Sequence, residues 1–236
     1  MMMPAESKFI CSPVFRLLSD AVMFSFLSRD CSDENRHAYA RASILNSAFC
    51  VEGAANVLLH ACISKLTNDD FKRIDHKPAL EKFERYLSLH HPSKAFERGR
   101  KEIQAIDELF DLRDKNVHSR IAKFSIEKES SSKAALSYKV KSLGHTSILH
   151  IPCTSLDWIS DHAICVLKAV ESFYDLYFYE YCGMSPEQTC GLLSDKILFD
   201  DGKARGVQAH RYDEMFIRAQ KEFGLKLNWL LNRIYG

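Results

Sequence analysis

The segment LFDLRDKNVHSR, residues 109–120, gathers Arg113, Asp114, Lys115, Asn116, His118 and Arg120 where an amphipathic stretch turns wholly polar. A guanidinium and an imidazole in one polar stretch are groups that phosphoryl chemistry can use. The planar, permanently charged guanidinium braces phosphoryl oxygens as charge develops on them. The imidazole takes a proton from one oxygen or returns it to another. Five residues of helix separate Arg113 and His118 by about 140° around the axis and about 7.5 Å along it. They do not share a face, whereas Asp114 and His118, four apart, do. One helix therefore presents Arg113 and His118 on either side of a narrow polar edge. Two such edges meeting on a two-fold axis give a site with two arginines and two histidines. That set suits RNA cleavage, one histidine taking the 2′-hydroxyl proton and another protonating the leaving 5′-oxygen. The plainer alternative is a solvated helix end, with Arg113, Lys115 and Arg120 complementing the helix dipole.

The elements that must position this edge are mostly helical. Residues 13–28 read as a first helix packed through Val14, Leu17, Leu18, Met23 and Phe24, with DCSDEN (30–35) as a polar break. A long helix follows over 36–66, with an apolar stripe through Leu45, Ala48, Phe49, Ala55, Leu59, Cys62, Ile63 and Leu66. Glu52 and Asn56 fall on that stripe and need partners there, because burial without hydrogen bonds is costly. Bridging neighbouring helices is the plain role for both, and orienting Arg113 is the sharper role for Glu52. A short helix over 77–91 runs through Leu80, Phe83, Tyr86 and Leu87, with Pro78 suited to its first turn. The helix that carries the polar edge runs over 97–118, with Ile103, Ile106, Leu109, Phe110 and Val117 as its stripe. Two-residue alternation in KFSIEKE and LSYKVKSLGHTSILHI predicts a β hairpin or three-strand patch within 121–151, with serine-rich ESSSK between strands. A long helix then opens at a cap on Ser155 and closes at Gly183. The stretch 184–206 reads as loop-rich, before a final helix through Met215, Phe216, Phe223, Leu227 and Leu230. The division is an N-terminal helix and linker (1–35), a helical domain with a β insertion (36–183) and a C-terminal loop and helix (184–236).

Composition narrows the functional classes. Nine glycines and six prolines in 236 residues argue against a many-turned β sandwich and for long helices. A net charge of +1 gives no global field for nucleic acid, so any RNA contact needs a local basic patch. The eight cysteines include no C-x-x-C pair, and Cys50, Cys62 and Cys165 sit in apolar helical patterns, so reduced thiols are expected. Arg16 and Asp20 interrupt the early apolar stretch, and no run reads as a membrane span. A cytoplasmic protein with no membrane partner is expected. His90 and His91 are adjacent and lack a third ligand at metal-site spacing, so no metal or cofactor is expected. The aromatics of ESFYDLYFYEY (171–181) could stack bases, but helical packing or a dimer surface is the better use.

The segment LRDKNVH resembles the R-x4-6-H signature of the HEPN superfamily, and ARASILNSAFCVEGAANVLLHACI is similar to the first core helix of those proteins, glutamate included. The resemblance covers roughly residues 36–182. It implies a mainly α fold, an antiparallel helical bundle with a small β-hairpin insertion and an appended C-terminal helix. It also implies a homodimer acting as a metal-independent endoribonuclease on RNA, in a toxin–antitoxin or phage-defence setting with an antitoxin or defence-system partner. Arg113 and His118 carry over as catalytic, with Asp114 at the often polar position after the arginine. Beside them, Asp114, Asn116 and Glu52 are expected as supporting residues, and Lys115 and Arg120 as substrate-binding cations. Other members lack nuclease activity and serve as interaction or nucleotide-binding modules, which is the alternative here. Toxins paired with nucleotidyltransferase antitoxins often carry a tyrosine two residues after the histidine. This chain has Arg120 there and departs from that pattern.

Overall fold

Alanine, serine, cysteine and glycine recur at helical spacing through residues 40–55, and they decide how the bundle assembles. The computed structural model describes residues 8–32, 34–117, 124–132, 135–142, 144–198, 204–207 and 212–229. In it these small residues lie on α2 (Asn35–Ala61), which packs against α1 (Val14–Asp30). The buried Ser43 hydroxyl donates to Ala21 O at 2.7 Å, and Ser47 donates to Ser43 O at 2.9 Å. The Cys50 thiol lies 3.5 Å from Val14 O. Each buried polar group thus has an acceptor, and no large side chain holds the helices apart. Gly53 marks a close approach to the start of α1, since a Cβ there would stand 2.9 Å from Pro13 Cγ.

α2 is surrounded by α1, α4 (Ala79–His90), α5 (Lys101–Val117) and α6 (Ser160–Tyr174). This alters the expected single stripe. Ile44, Val51 and Leu58 are fully buried, Leu45 and Phe49 are half-buried, and Ile63 is 56% exposed. A helix walled in on several sides buries more than one face, so no single period identifies its core. By length and composition α2 could cross a membrane, contrary to the expectation that no run could, and here it is the central helix of the bundle. It ends before a single helical turn at Ile63–Lys65, earlier than the spacing predicts.

Helix directions are mixed rather than uniformly antiparallel. α1 and α2 run antiparallel, pairing Ser28 with Arg36 and Ala21 with Ser43. α6 runs the same way as α2: His37 Nδ1 lies 2.9 Å from Trp158 O, and the Tyr174 hydroxyl donates to Cys50 O at 3.2 Å. α3 (Asn68–Asp75), capped by Thr67, is an element the periodicity does not show. α4 follows Pro78 and buries Leu80, Phe83, Tyr86 and Leu87, as its spacing predicts. α6 starts five residues beyond Ser155, which opens only a short turn (Ser155–Asp157). It continues with wider, π-type pairing through Asp175–Tyr181 and ends at Gly183, whose φ is +63°. The aromatic run is core: Phe83 packs edge-on against Phe173 and Tyr177 with centroids 4.9 and 4.6 Å apart. Such rings contribute roughly 1.5–3 kcal/mol each through burial.

β2 (Phe124–Ser132) and β3 (Ala135–Ser142) form the expected antiparallel hairpin. The serines 130–132 extend β2 instead of forming a loop, and His145 and Pro152 make only an isolated bridge, not a third strand. The stretch expected to be loop-rich holds α7 (Pro186–Leu193), β4 (Asp195–Leu198) and β5 (Ala204–Val207). β4 is central in an antiparallel sheet of order β1-β4-β5, where β1 is Lys8–Ile10. A segment near the N-terminus is joined there to one from the last quarter of the chain. α8 (Asp213–Phe223) ends at left-handed Gly224, and Leu225, Leu227 and Trp229 beyond it are buried. Leu230 lies outside the described residues.

Candidate functional site

The side of α5 that faces the core fixes what its last turns present. Ile103, Ile106, Leu109 and Leu112 are fully buried, which leaves the 110, 113 and 114 positions at the boundary with solvent. α5 begins at Lys101 and not Glu97, because a turn through Gly99 precedes it. Val117, placed in the stripe by its spacing, is 51% exposed.

Arg113 is the centre of the described cluster. Its Nη1 donates to Glu52 Oε2 at 3.2 Å, and the side chains are 22% and 38% exposed respectively. Its Nε lies 2.9 Å from Asp114 Oδ1, close enough for an ion pair but not aligned as a hydrogen bond, so that buried N–H goes unmatched. The guanidinium carbon stands 5.4 Å from the centre of the Phe110 ring. The pairing joins α5 to α2 across the bundle and holds the guanidinium in one place. Among the described residues, no contact is recorded for Arg113 Nη2. With two carboxylates against one guanidinium, the cluster is net negative by one charge. A phosphate would therefore need further cations.

The other sequence-derived residues divide. Lys115 is exposed, on the next step of the helix. Asn116 turns back on its own helix, its amide donating to Leu112 O at 2.7 Å. Asn56 belongs elsewhere: its Oδ1 accepts from the buried Lys82 Nζ at 2.7 Å, bridging α2 to α4. His118 and Arg120 lie outside the described residues, one and three positions past the last described residue of α5.

One positioning residue was not visible in the sequence. The Glu108 carboxylate accepts from the backbone N–H groups of Ser147, Ile148 and Leu149, at 2.8 to 3.0 Å. It pins the chain returning from the β2–β3 hairpin to α5, a little more than one turn before Arg113. His150, just beyond, takes a positive φ of 55°. A glutamate three residues before an aspartate is common on a helix, and nothing local distinguishes one that gathers three amides. No metal-ligating group of three or more histidine, cysteine or acidic side chains occurs among the described residues. No protein-family model, curated protein or solved structure matches this chain.

Proposed function

We propose that the chain is a cytoplasmic endoribonuclease of HEPN type, working as a homodimer in which two R-x4-H edges face each other. The observation that carries this reading is the Arg113–Glu52 pair, which holds a half-buried guanidinium at the polar end of α5 with one nitrogen uncommitted among the described residues. A guanidinium fixed before substrate arrives needs no reorganisation as charge builds on the phosphoryl oxygens. In the proposed reaction one His118 takes the proton of the ribose 2′-hydroxyl, and that oxygen attacks phosphorus. The bond to the 5′-oxygen breaks, and the partner copy's imidazolium supplies the proton that this oxygen needs. The products are a 2′,3′-cyclic phosphate and a 5′-hydroxyl, with no metal required by the balance. Lys115 and Arg120 supply cations that offset Glu52 and Asp114. A toxin or phage-defence role with a cognate partner protein is the setting this chemistry serves.

The double pairing of Arg113 favours a second reading. A guanidinium already neutralised by Glu52 and Asp114 serves well as a helix clamp, and the chain is then a non-catalytic interaction or nucleotide-binding module. Incubation of the purified chain with single-stranded RNA in excess EDTA separates the two. Fragments ending in cyclic phosphate are expected. Intact RNA, together with nucleotide binding that is lost in Arg113→Ala, would establish the module instead.

A further inference from the structure

Past Glu52, α2 also borders the three-stranded sheet. Asn56, Val57 and His60 there share a cavity of about 670 Å³ with residues 10–13 and with Leu192, Ser194 and Lys196. Cavities that hold small molecules span about 300–1,000 Å³. Ile10 and Ile63, two of its apolar lining residues, remain large exposed hydrophobics. Most polar groups in the wall are already engaged. Asn56 accepts from Lys82, the Ser12 hydroxyl donates to Leu193 O at 2.6 Å, and the Ser194 hydroxyl donates to Cys190 O at 2.6 Å.

Lys196 differs from these. No hydrogen bond or ion pair to its ammonium is recorded among the described residues, and none of the described residues lining the cavity is an acid. The carboxylate of Asp195 is turned elsewhere: its Oδ1 accepts from Ser12 N at 2.6 Å, and adjacent side chains on a strand point to opposite faces. Burial pushes the Lys196 amine below the ordinary lysine range. A half-buried cation in an apolar hollow is stabilised by an anion that brings its own apolar surface.

We propose that this cavity binds a small amphiphilic carboxylate, its head group paired with Lys196 and its apolar body lying along Val57, Ile63 and Leu192. The lining includes neither Arg113 nor Glu52, and the site does not depend on the ribonuclease reading. Octanoate is the probe, titrated into the full chain by calorimetry, with octanol and octylamine as comparators. One saturable site is expected for octanoate. Octanol binds about tenfold more weakly or worse, since it lacks the charge-assisted pair, and octylamine does not bind. Lys196→Met weakens octanoate about tenfold or more, whereas Lys196→Arg retains it. Ala61→Trp, placed at an exposed helix end that lines the cavity, blocks octanoate while leaving Lys196 intact. Absence of saturable octanoate binding, or equal binding of octanol and octanoate, overturns the proposal. So does octanoate affinity unchanged in a folded Lys196→Met chain. The comparison of octanol with octanoate needs only the wild-type chain and decides even where a variant fails to fold.

Discussion

Arg113 and Glu52 touch, yet both keep contact with solvent, and that combination sets what each substitution should do. The apolar stripe suggests a buried Glu52 whose loss harms folding, but its side chain is 38% exposed at the edge of α2. Part-exposed ion pairs contribute about 0–1 kcal/mol, so Arg113→Ala and Glu52→Gln are each expected to cost about 1 kcal/mol or less by urea unfolding. Activity should respond far more strongly. Losing one fixed donor to a developing charge slows cleavage roughly 100-fold or more in Arg113→Ala. Arg113→Lys should be nearly as damaging, because an ammonium cannot hold Glu52 and a phosphoryl oxygen with one planar fork. If Glu52 acts by holding Arg113, the two effects on rate will not add in a double-mutant cycle. Additive rates leave Glu52 as a bridge between helices. A loss of several kcal/mol on removing Arg113 makes it a structural clamp.

Packing between elements yields two further expectations. Gly53→Ala gains about 1 kcal/mol of helix propensity but drives a Cβ to 2.9 Å from the rigid Pro13 ring, an overpacking that costs about 1–3 kcal/mol. A lower Tm is expected, and a higher one shows that α1 and α2 part easily. The segment after α8 is held by Glu171, whose carboxylate accepts from Leu227 N. Burial, with Asp175 nearby, raises the Glu171 carboxyl above the usual range. Such a group binds its proton more tightly in the folded chain, so its stabilising contribution is full in acid and is lost as pH rises through the folded value. Wild-type stability relative to Glu171→Gln should therefore improve as pH falls from neutral toward the unfolded glutamate value of about 4.3. A difference that stays flat across that range removes Glu171 from the account. These contacts also show what the sequence could reveal. α4 was legible because Leu80, Phe83, Tyr86 and Leu87 face one neighbour-lined side at regular spacing. The β1-β4-β5 sheet was not, since its strands are three or four residues long and gain their meaning only when β1 pairs with the distant β4. Glu108 and Lys196 were hidden for the same reason, their roles being set by distant segments. At the polar edge, residue type and spacing pointed to Arg113 and Glu52, while the half-exposed setting of the pair depended on how α5 crosses α2.

At the scale of the whole molecule, a helical bundle centred on α2 carries a two-stranded hairpin and a three-stranded sheet that pairs β1 with β4. The proposed chemistry needs more than one copy, because a single R-x4-H edge has one imidazole for two proton transfers. The most direct measurement is the single-turnover rate of RNA cleavage in excess EDTA for wild type and His118→Ala, at a concentration where both are dimers of equal helical content. Wild type is expected to leave 2′,3′-cyclic phosphate ends, and His118→Ala to be slower by roughly 100-fold or more. Wild-type protein that leaves RNA intact, or a folded His118→Ala dimer that cleaves at the wild-type rate, contradicts the proposed chemistry.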